Sequence, residues 1–122
     1  MAIDDDPVIL NLTVVVLRKS YRLRPFTSGK AAFKYLDLPG SKADLILLDH
    51  QMPEMDGPAV LEKLRADQAT RDIPVIFMTG LDRADDQATL KKQGVADYIL
   101  KPPVAADLLE KIGRHLSRPQ AI

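Results

Sequence analysis

Uninterrupted apolar runs and stretches of helical spacing take turns along this 122-residue chain. The clearest run is Asp44-Leu45-Ile46-Leu47-Leu48, which stops at Asp49; Ile73 to Met78 and Tyr98 to Leu100 are two more. Leu, Ile and Val in succession, with no polar residue between them, suit parallel strands covered on both faces. Between the runs the apolar spacing becomes helical. Val8 to Leu17 predicts a first helix with Pro7 in its first turn and the basic pair Arg18-Lys19 at its end. Ser28-Gly29 opens a second helix through Leu36, ended by Pro39-Gly40. Val60, Leu61 and Leu64 form the apolar face of a third, which follows Gly57 and loosens near Thr70. Asp82 to Gln93 is a polar, weakly amphipathic fourth stopped by Gly94, and a fifth carries a buried stripe of Leu108, Leu109, Ile112 and Leu116. Leu23 to Thr27 reads as a strand confined to a sheet edge, because Pro25 has no N–H to offer a neighbour. With Met1-Ala2-Ile3 as the opening strand, strand and helix alternate five times, which predicts an α/β fold: a parallel sheet with helices on both sides.

Composition narrows what such a sheet could do. At 46% hydrophobic the chain fills one core and leaves no room for a second domain of ordinary size. Seventeen Lys and Arg balance seventeen Asp and Glu, so no overall basic field draws in nucleic acid or an anionic membrane, and neither is expected as a partner. The absence of Cys removes disulfides and thiolate metal sites. No apolar stretch approaches the roughly 20 residues of a membrane span, and Met1-Ala2-Ile3-Asp4 lacks the segments of a signal peptide. The chain reads as soluble and cytoplasmic.

An acid at the exit of a doubly covered strand lies at the edge where open α/β sheets bind ligands, which makes Asp49 the first candidate for chemistry. Other polar residues have plainer readings. Asp6 suits a helix cap, and the run Asp4-Asp5-Asp6 favours the positive end of the first helix. Asp56-Gly57 reads as turn and cap chemistry, with Gly supplying backbone freedom and Asp a local acceptor. Lys101 is set apart by its place after a buried strand and before Pro102. His50 and His115 have no partner at a spacing suited to metal binding or acid–base work, and read as incidental.

Taken in order, Asp4-Asp5-Asp6-Pro7, Asp49 with Met52-Pro53 and Asp56-Gly57, Thr79-Gly80, and Tyr98 before Lys101-Pro102 resemble the receiver domain of two-component response regulators. Thr79 lies thirty residues after Asp49 and Lys101 twenty-two after Thr79, and the likeness spans nearly the whole chain. The resemblance implies a flavodoxin-like doubly wound sheet in strand order 2-1-3-4-5, forming a single receiver domain over residues 1–122 without an output domain. It implies that Asp49 accepts a phosphoryl group from a phosphohistidine. Asp5, Asp49 and the backbone carbonyl of Gln51 would ligate Mg²⁺, with Asp4 holding one of its waters. Thr79 and Lys101 would each contact a phosphoryl oxygen, Tyr98 would change rotamer as Thr79 moves, and Pro53, Gly57 and a cis Lys101-Pro102 bond would be structural. The implied partners are a sensor histidine kinase or phosphotransfer protein and a downstream protein target, docked on the fourth helix, the Tyr98 strand and the fifth helix. A phosphorylation-dependent homodimer fits the same scheme. No enzymatic turnover is implied beyond Mg²⁺-assisted self-phosphorylation and autodephosphorylation.

The chemistry of these residue types agrees with that reading. Carboxylates gathered about 4 Å apart repel by roughly 4 kcal/mol per pair at an effective dielectric of 20, so a cation belongs among them. Mg²⁺ takes hard oxygens and only one or two protein carboxylates, which suits this set better than Zn²⁺ or Ca²⁺. Two other classes compete. One is a degenerate receiver that binds proteins without phosphorylation; the presence of Asp5, Asp49, Thr79 and Lys101 counts against it. The other is an Asp-nucleophile phosphatase resembling haloacid dehalogenases, which wants a second acid where this chain has Gln51 and a cap domain that 122 residues cannot hold. Two departures from the receiver pattern stand out: only Met1-Ala2-Ile3 precede the acids, and Leu81 is apolar two residues beyond Thr79.

Overall fold

The structure is a computed structural model and describes residues 1–52, 55–80, 88 and 92–116. Five parallel strands, β1 (Ala2–Ile3), β2 (Pro25–Phe26), β3 (Ile46–Asp49), β4 (Val75–Thr79) and β5 (Asp97–Leu100), stand in the order β2-β1-β3-β4-β5. Four helices are described: α1 (Pro7–Leu17), α2 (Gly29–Leu36), α3 (Gly57–Ala66) and α4 (Ala105–His115). The predicted helix over Asp82 to Gln93 falls almost wholly outside the described residues, as do Pro53, Leu81 and residues 117–122.

Side chains of successive strand residues point to opposite faces, and the apolar runs fill both. Ile46, Leu48, Val75 and Phe77 pack toward α2 and α3, meeting Ala32, Val60, Leu61 and Leu64. Leu47, Ile76, Met78 and Ile99 face the other way, against Leu10 and Leu17 of α1 and Leu108 and Ile112 of α4. This double coverage is why β3 and β4 carry no polar alternation. Leu109, expected in the buried stripe, is instead 39% exposed. Consecutive helix residues diverge by about 100°, and Leu108 already faces the sheet.

Local signals set the helix starts. Asp6 Oδ1 accepts from Val8 N at 2.9 Å with Pro7 at the first helical position, Ser28 Oγ accepts from Ala31 N at 3.1 Å, and Asp56 Oδ1 accepts from Ala59 N at 3.2 Å. β2 shrinks to two residues at the sheet edge, where Pro25 needs no partner for a missing N–H.

β1 is also two residues long, yet lies inside the sheet between β2 and β3. Its ladder continues back to Met1, whose carbonyl accepts from Leu47 N at 2.9 Å and whose ammonium donates to Leu45 O at 3.1 Å. Burial pushes that amine down from 8.0 to about 6, against the pull of the Asp44 carboxylate. A base with a lowered folded pKa binds fewer protons folded than unfolded, so its contribution to stability falls as pH drops from about 8 to about 6. Adding a few apolar residues before Met1, which turns the ammonium into an amide, is expected to stabilise the fold by about 1 kcal/mol at pH 7, roughly 4 °C in melting temperature. Thermal unfolding at pH 6 and pH 8 checks this, because the gain should shrink at the higher pH.

Candidate functional site

The strand order reverses between β1 and β3, and at such a point the helices leave to opposite faces and open a crevice beyond the strands' carboxyl ends. The chain places its acids there. Ile3 is in register with Leu48, so Asp4 and Asp49 leave their strands side by side. Asp4, Asp5 and Asp49 each offer a carboxylate oxygen, all within 4.8 Å of one another. Lys101 reaches in from the end of β5, its Nζ 2.8 Å from Asp49 Oδ1 and 3.2 Å from Asp4 Oδ2. Thr79 is buried at the end of β4, and its carbonyl accepts from Lys101 N at 2.8 Å, which ties the hydroxyl-bearing and ammonium-bearing residues to one ladder rung. The Lys101-Pro102 peptide is cis.

Charge is uneven within the cluster. Asp5 is exposed, whereas Asp4 and Asp49 are buried. Asp4 Oδ1 accepts from Asp6 N at 2.9 Å, but its Oδ2 has no hydrogen-bond partner and only the Lys101 ammonium nearby. Burial drives the Asp49 carboxyl up from 3.8 to about 7, helped by Asp5 and Asp4 and resisted by Lys101. Burial alone would lower the Lys101 ammonium, yet its contacts with Asp49 and Asp4 outweigh this and raise it. One ammonium thus answers three carboxylates. A set of hard oxygens in which three carboxylates face a single ammonium fits a divalent cation of the Mg²⁺ type.

Gly57 has a different role from the backbone freedom its turn suggested. Among the described glycines only Gly40 and Gly94 have positive φ. At Gly57 a Cβ would lie 2.7 Å from Asp49 O and 2.9 Å from His50 Cα, and Gly57 N donates to His50 O at 3.0 Å. The start of α3 therefore rests directly on the backbone of the candidate phosphoacceptor, and only hydrogen fits between. Gln51 N donates to Asp49 Oδ1 at 3.4 Å. The His50 ring packs against Phe77, with Nδ1 buried and without a hydrogen-bond partner.

His115 corrects an expectation: it is not incidental. Its Nε2 lies 3.0 Å from Asp97 Oδ2, where Arg114 Nη1 also approaches at 3.4 Å. Asp97, which no local pattern singles out, is buried at the start of β5. Burial pushes its carboxyl up, but the Tyr98 N–H at 2.9 Å, His115 and Lys111 together pull it below its usual value. An acid with a depressed folded pKa contributes stability above its unfolded value of 3.8 and loses it as pH falls through the folded one. Asp97→Asn is expected to cost about 1–2 kcal/mol at pH 7 and to flatten the acid limb of the stability curve, measured by urea unfolding between pH 3 and 7.

A doubly wound parallel sheet with three acids, a buried hydroxyl and an ammonium at its carboxyl edge defines the receiver class, and over residues 1–113 the chain belongs to the response regulator receiver domain family. It is 32% identical over 121 residues to a probable cyclic di-GMP phosphodiesterase of Vibrio cholerae, covering 99% of this chain and 27% of that protein. In structure it is similar to the signal receiver domain of a signal transduction histidine kinase from Syntrophus aciditrophicus (TM-score 0.83, 30% identity, 99% and 91% of the two chains). It is also similar to the receiver domain of the sensor histidine kinase PA1611 from Pseudomonas aeruginosa, solved with magnesium coordinated in its active-site cleft (TM-score 0.82, 27% identity, 94% and 93%). The chain spans between 14% and 55% of the length of the curated relatives it matches. Among the described residues no helix is long and apolar enough to cross a membrane.

Proposed function

We propose that this receiver domain is a phosphoacceptor and that Asp49 carries the phosphoryl group. The observation that carries the reading is the convergence of Asp4, Asp5 and Asp49 within 4.8 Å, with Lys101 Nζ 2.8 Å from Asp49 Oδ1. The Asp49 carboxylate attacks phosphorus, a P–O bond forms as the P–N bond of a phosphohistidine breaks, and the imidazole of the donor departs. Little covalent work is asked of the protein, because phosphoryl transfer depends on positioning and charge cancellation. Asp5, Asp49 and the Gln51 carbonyl would hold Mg²⁺, with Asp4 supporting one of its waters; when bound, the ion neutralises charge on the transferring oxygens. Lys101 serves a second phosphoryl oxygen and Thr79 a third by charge-assisted hydrogen bonds. The magnesium in the PA1611 receiver cleft supports this assignment by likeness.

Phosphorylation adds about 1.5 to 2 negative charges. Thr79 moves toward them, and Tyr98 follows by changing the face that β5 and α4 present. The input partner is a sensor histidine kinase or phosphotransfer protein and the output partner a protein target; the domain itself has no turnover beyond gaining and losing its phosphoryl group. Phosphotransfer from a phosphorylated kinase or acetyl phosphate with Mg²⁺ tests the proposal. Label should enter the wild-type chain as an acyl phosphate and be absent from Asp49→Asn. Equal labelling of both would overturn the assignment, and failure of the wild type to bind either acetyl phosphate or beryllofluoride would favour a phosphorylation-independent interaction module.

A further inference from the structure

We infer that Lys111 is a positioning residue for Tyr98, holding its backbone and its ring in place from a different element of the fold; the signalling consequence rests on the reading of Tyr98 as the switch. β5 is the outer strand of the sheet, paired only with β4 among the described residues. Lys101 N donates to Thr79 O, and in a parallel ladder alternate residues face the partner strand, so the N–H and C=O of Tyr98 turn to the open edge. Side chains meet both: the N–H donates to Asp97 Oδ1 at 2.9 Å, and the carbonyl accepts from Lys111 Nζ at 2.7 Å.

The same ammonium does more. Lys111 belongs to α4, whose buried residues Leu108 and Ile112 pack on one face of the sheet, while Tyr98 packs against the cluster on the other. Its side chain rounds the edge of β5, and Nζ comes to rest 4.8 Å from the centroid of the Tyr98 ring. Two acids fix it there, Asp107 at 3.6 Å one helical turn before it and Asp97 at 4.0 Å. Its side chain is 17% exposed, so these contacts are made largely out of water, where a cation over an aromatic face is strongest. A lysine with one such contact would be ordinary surface chemistry. Four contacts converging on one Nζ, two of them to the same tyrosine, make a clamp. The clamp holds Tyr98 where it stands, so it opposes any rearrangement that takes Tyr98 away from these contacts. Releasing it removes part of the cost of reaching the rearranged state and tightens binding of anything that selects that state.

Tyrosine fluorine NMR reads this directly. The chain has three tyrosines, so 3-fluorotyrosine labelling gives three lines, and Tyr98→Phe identifies the one of interest. Lys111→Met is expected to shift or broaden the Tyr98 line while Tyr21 and Tyr35 stay in place, and Lys111→Arg, which keeps a cation at the same reach, to restore it. Lys111→Met should also bind beryllofluoride with Mg²⁺ about three- to tenfold more tightly than wild type. A Tyr98 line unmoved in Lys111→Met overturns the clamp, and an unchanged beryllofluoride affinity overturns its coupling to the site. Should the wild type ignore beryllofluoride altogether, the phosphoacceptor reading of Asp49 fails, and the Tyr98 line still decides whether Lys111 positions it.

Discussion

Gly57→Ala is expected to cost about 3 kcal/mol of stability, roughly 10 °C in melting temperature, although alanine is ordinarily the better helix residue. Gly57 opens α3, where its φ is unexceptional, so exchange for alanine should by propensity be a gain. Sterics reverse the sign. The new methyl would sit 2.7 Å from Asp49 O and 3.0 Å from His50 O, and both are backbone atoms that no rotamer change can move aside. Either α3 lifts from the sheet, losing packing of Val60, Leu61 and Leu64, or the Asp49-His50 backbone yields and the site shifts with it. Gly113→Ala is the control: it lies inside α4, the nearest atom to its Cβ is Tyr21 Oη at 3.9 Å, and it should gain about 0.5–1 kcal/mol. Thermal melts of the two variants should move in opposite directions; a neutral Gly57→Ala would mean that the close approach is not maintained in solution.

Asp49→Asn is expected to make the metal-free protein more stable at pH 8, by about 2 kcal/mol once the retained Lys101–Asp4 pair is allowed for. The Asp49 carboxyl is raised from 3.8 to about 7 by burial first and by Asp5 and Asp4 next. A group whose folded pKa is raised gives stability that is fully present below its unfolded value and is lost as pH climbs through the folded one. Here that window runs from about 4 to about 7, and above it the wild type holds an ionised carboxylate in a buried, crowded place. Asparagine is neutral throughout. The difference between the melting temperatures of variant and wild type should therefore open as pH rises from 5 to 8. Mg²⁺ should close it by stabilising the wild type alone. If the difference did not change across that range, the strain would have to be assigned elsewhere.

How far the sequence foretold all this depends on the reach of each signal. The parallel sheet and Asp49 were legible because buried parallel strands lose polar alternation and Asp49 ends such a run, whereas the strand order followed only from the family resemblance. Asp4, Asp5, Thr79 and Lys101 were legible through the resemblance that their order and spacing carry, and the fold gathers the three strand ends that bear them at one edge, beside that of Asp49. Gly57 was marked for a different reason from the one that operates, since glycine in a turn announces conformational freedom whereas the need here is for space against another strand's backbone. His115 and Lys111 were not legible. They meet Asp97 and Tyr98 only when α4 folds back on β5, and no local pattern in a helix tells which strand lies beneath it. Leu109 misled for a related reason: adjacent leucines on a helix cannot both face one sheet.

The ladders on the two sides of the crevice are unequal. β1 is held by two residue pairs to β2 and two to β3, while β3–β4 and β4–β5 have four each. Asp4 and Asp5 hang from the slighter half and Asp49 from the stouter one. A cation gripped by both would act as a rivet across the seam, so its arrival should slow amide hydrogen exchange first in Ala2 to Asp5 and in Phe26 and Thr27. Sensing of the ion would then begin as a tightening of the sheet's weaker margin.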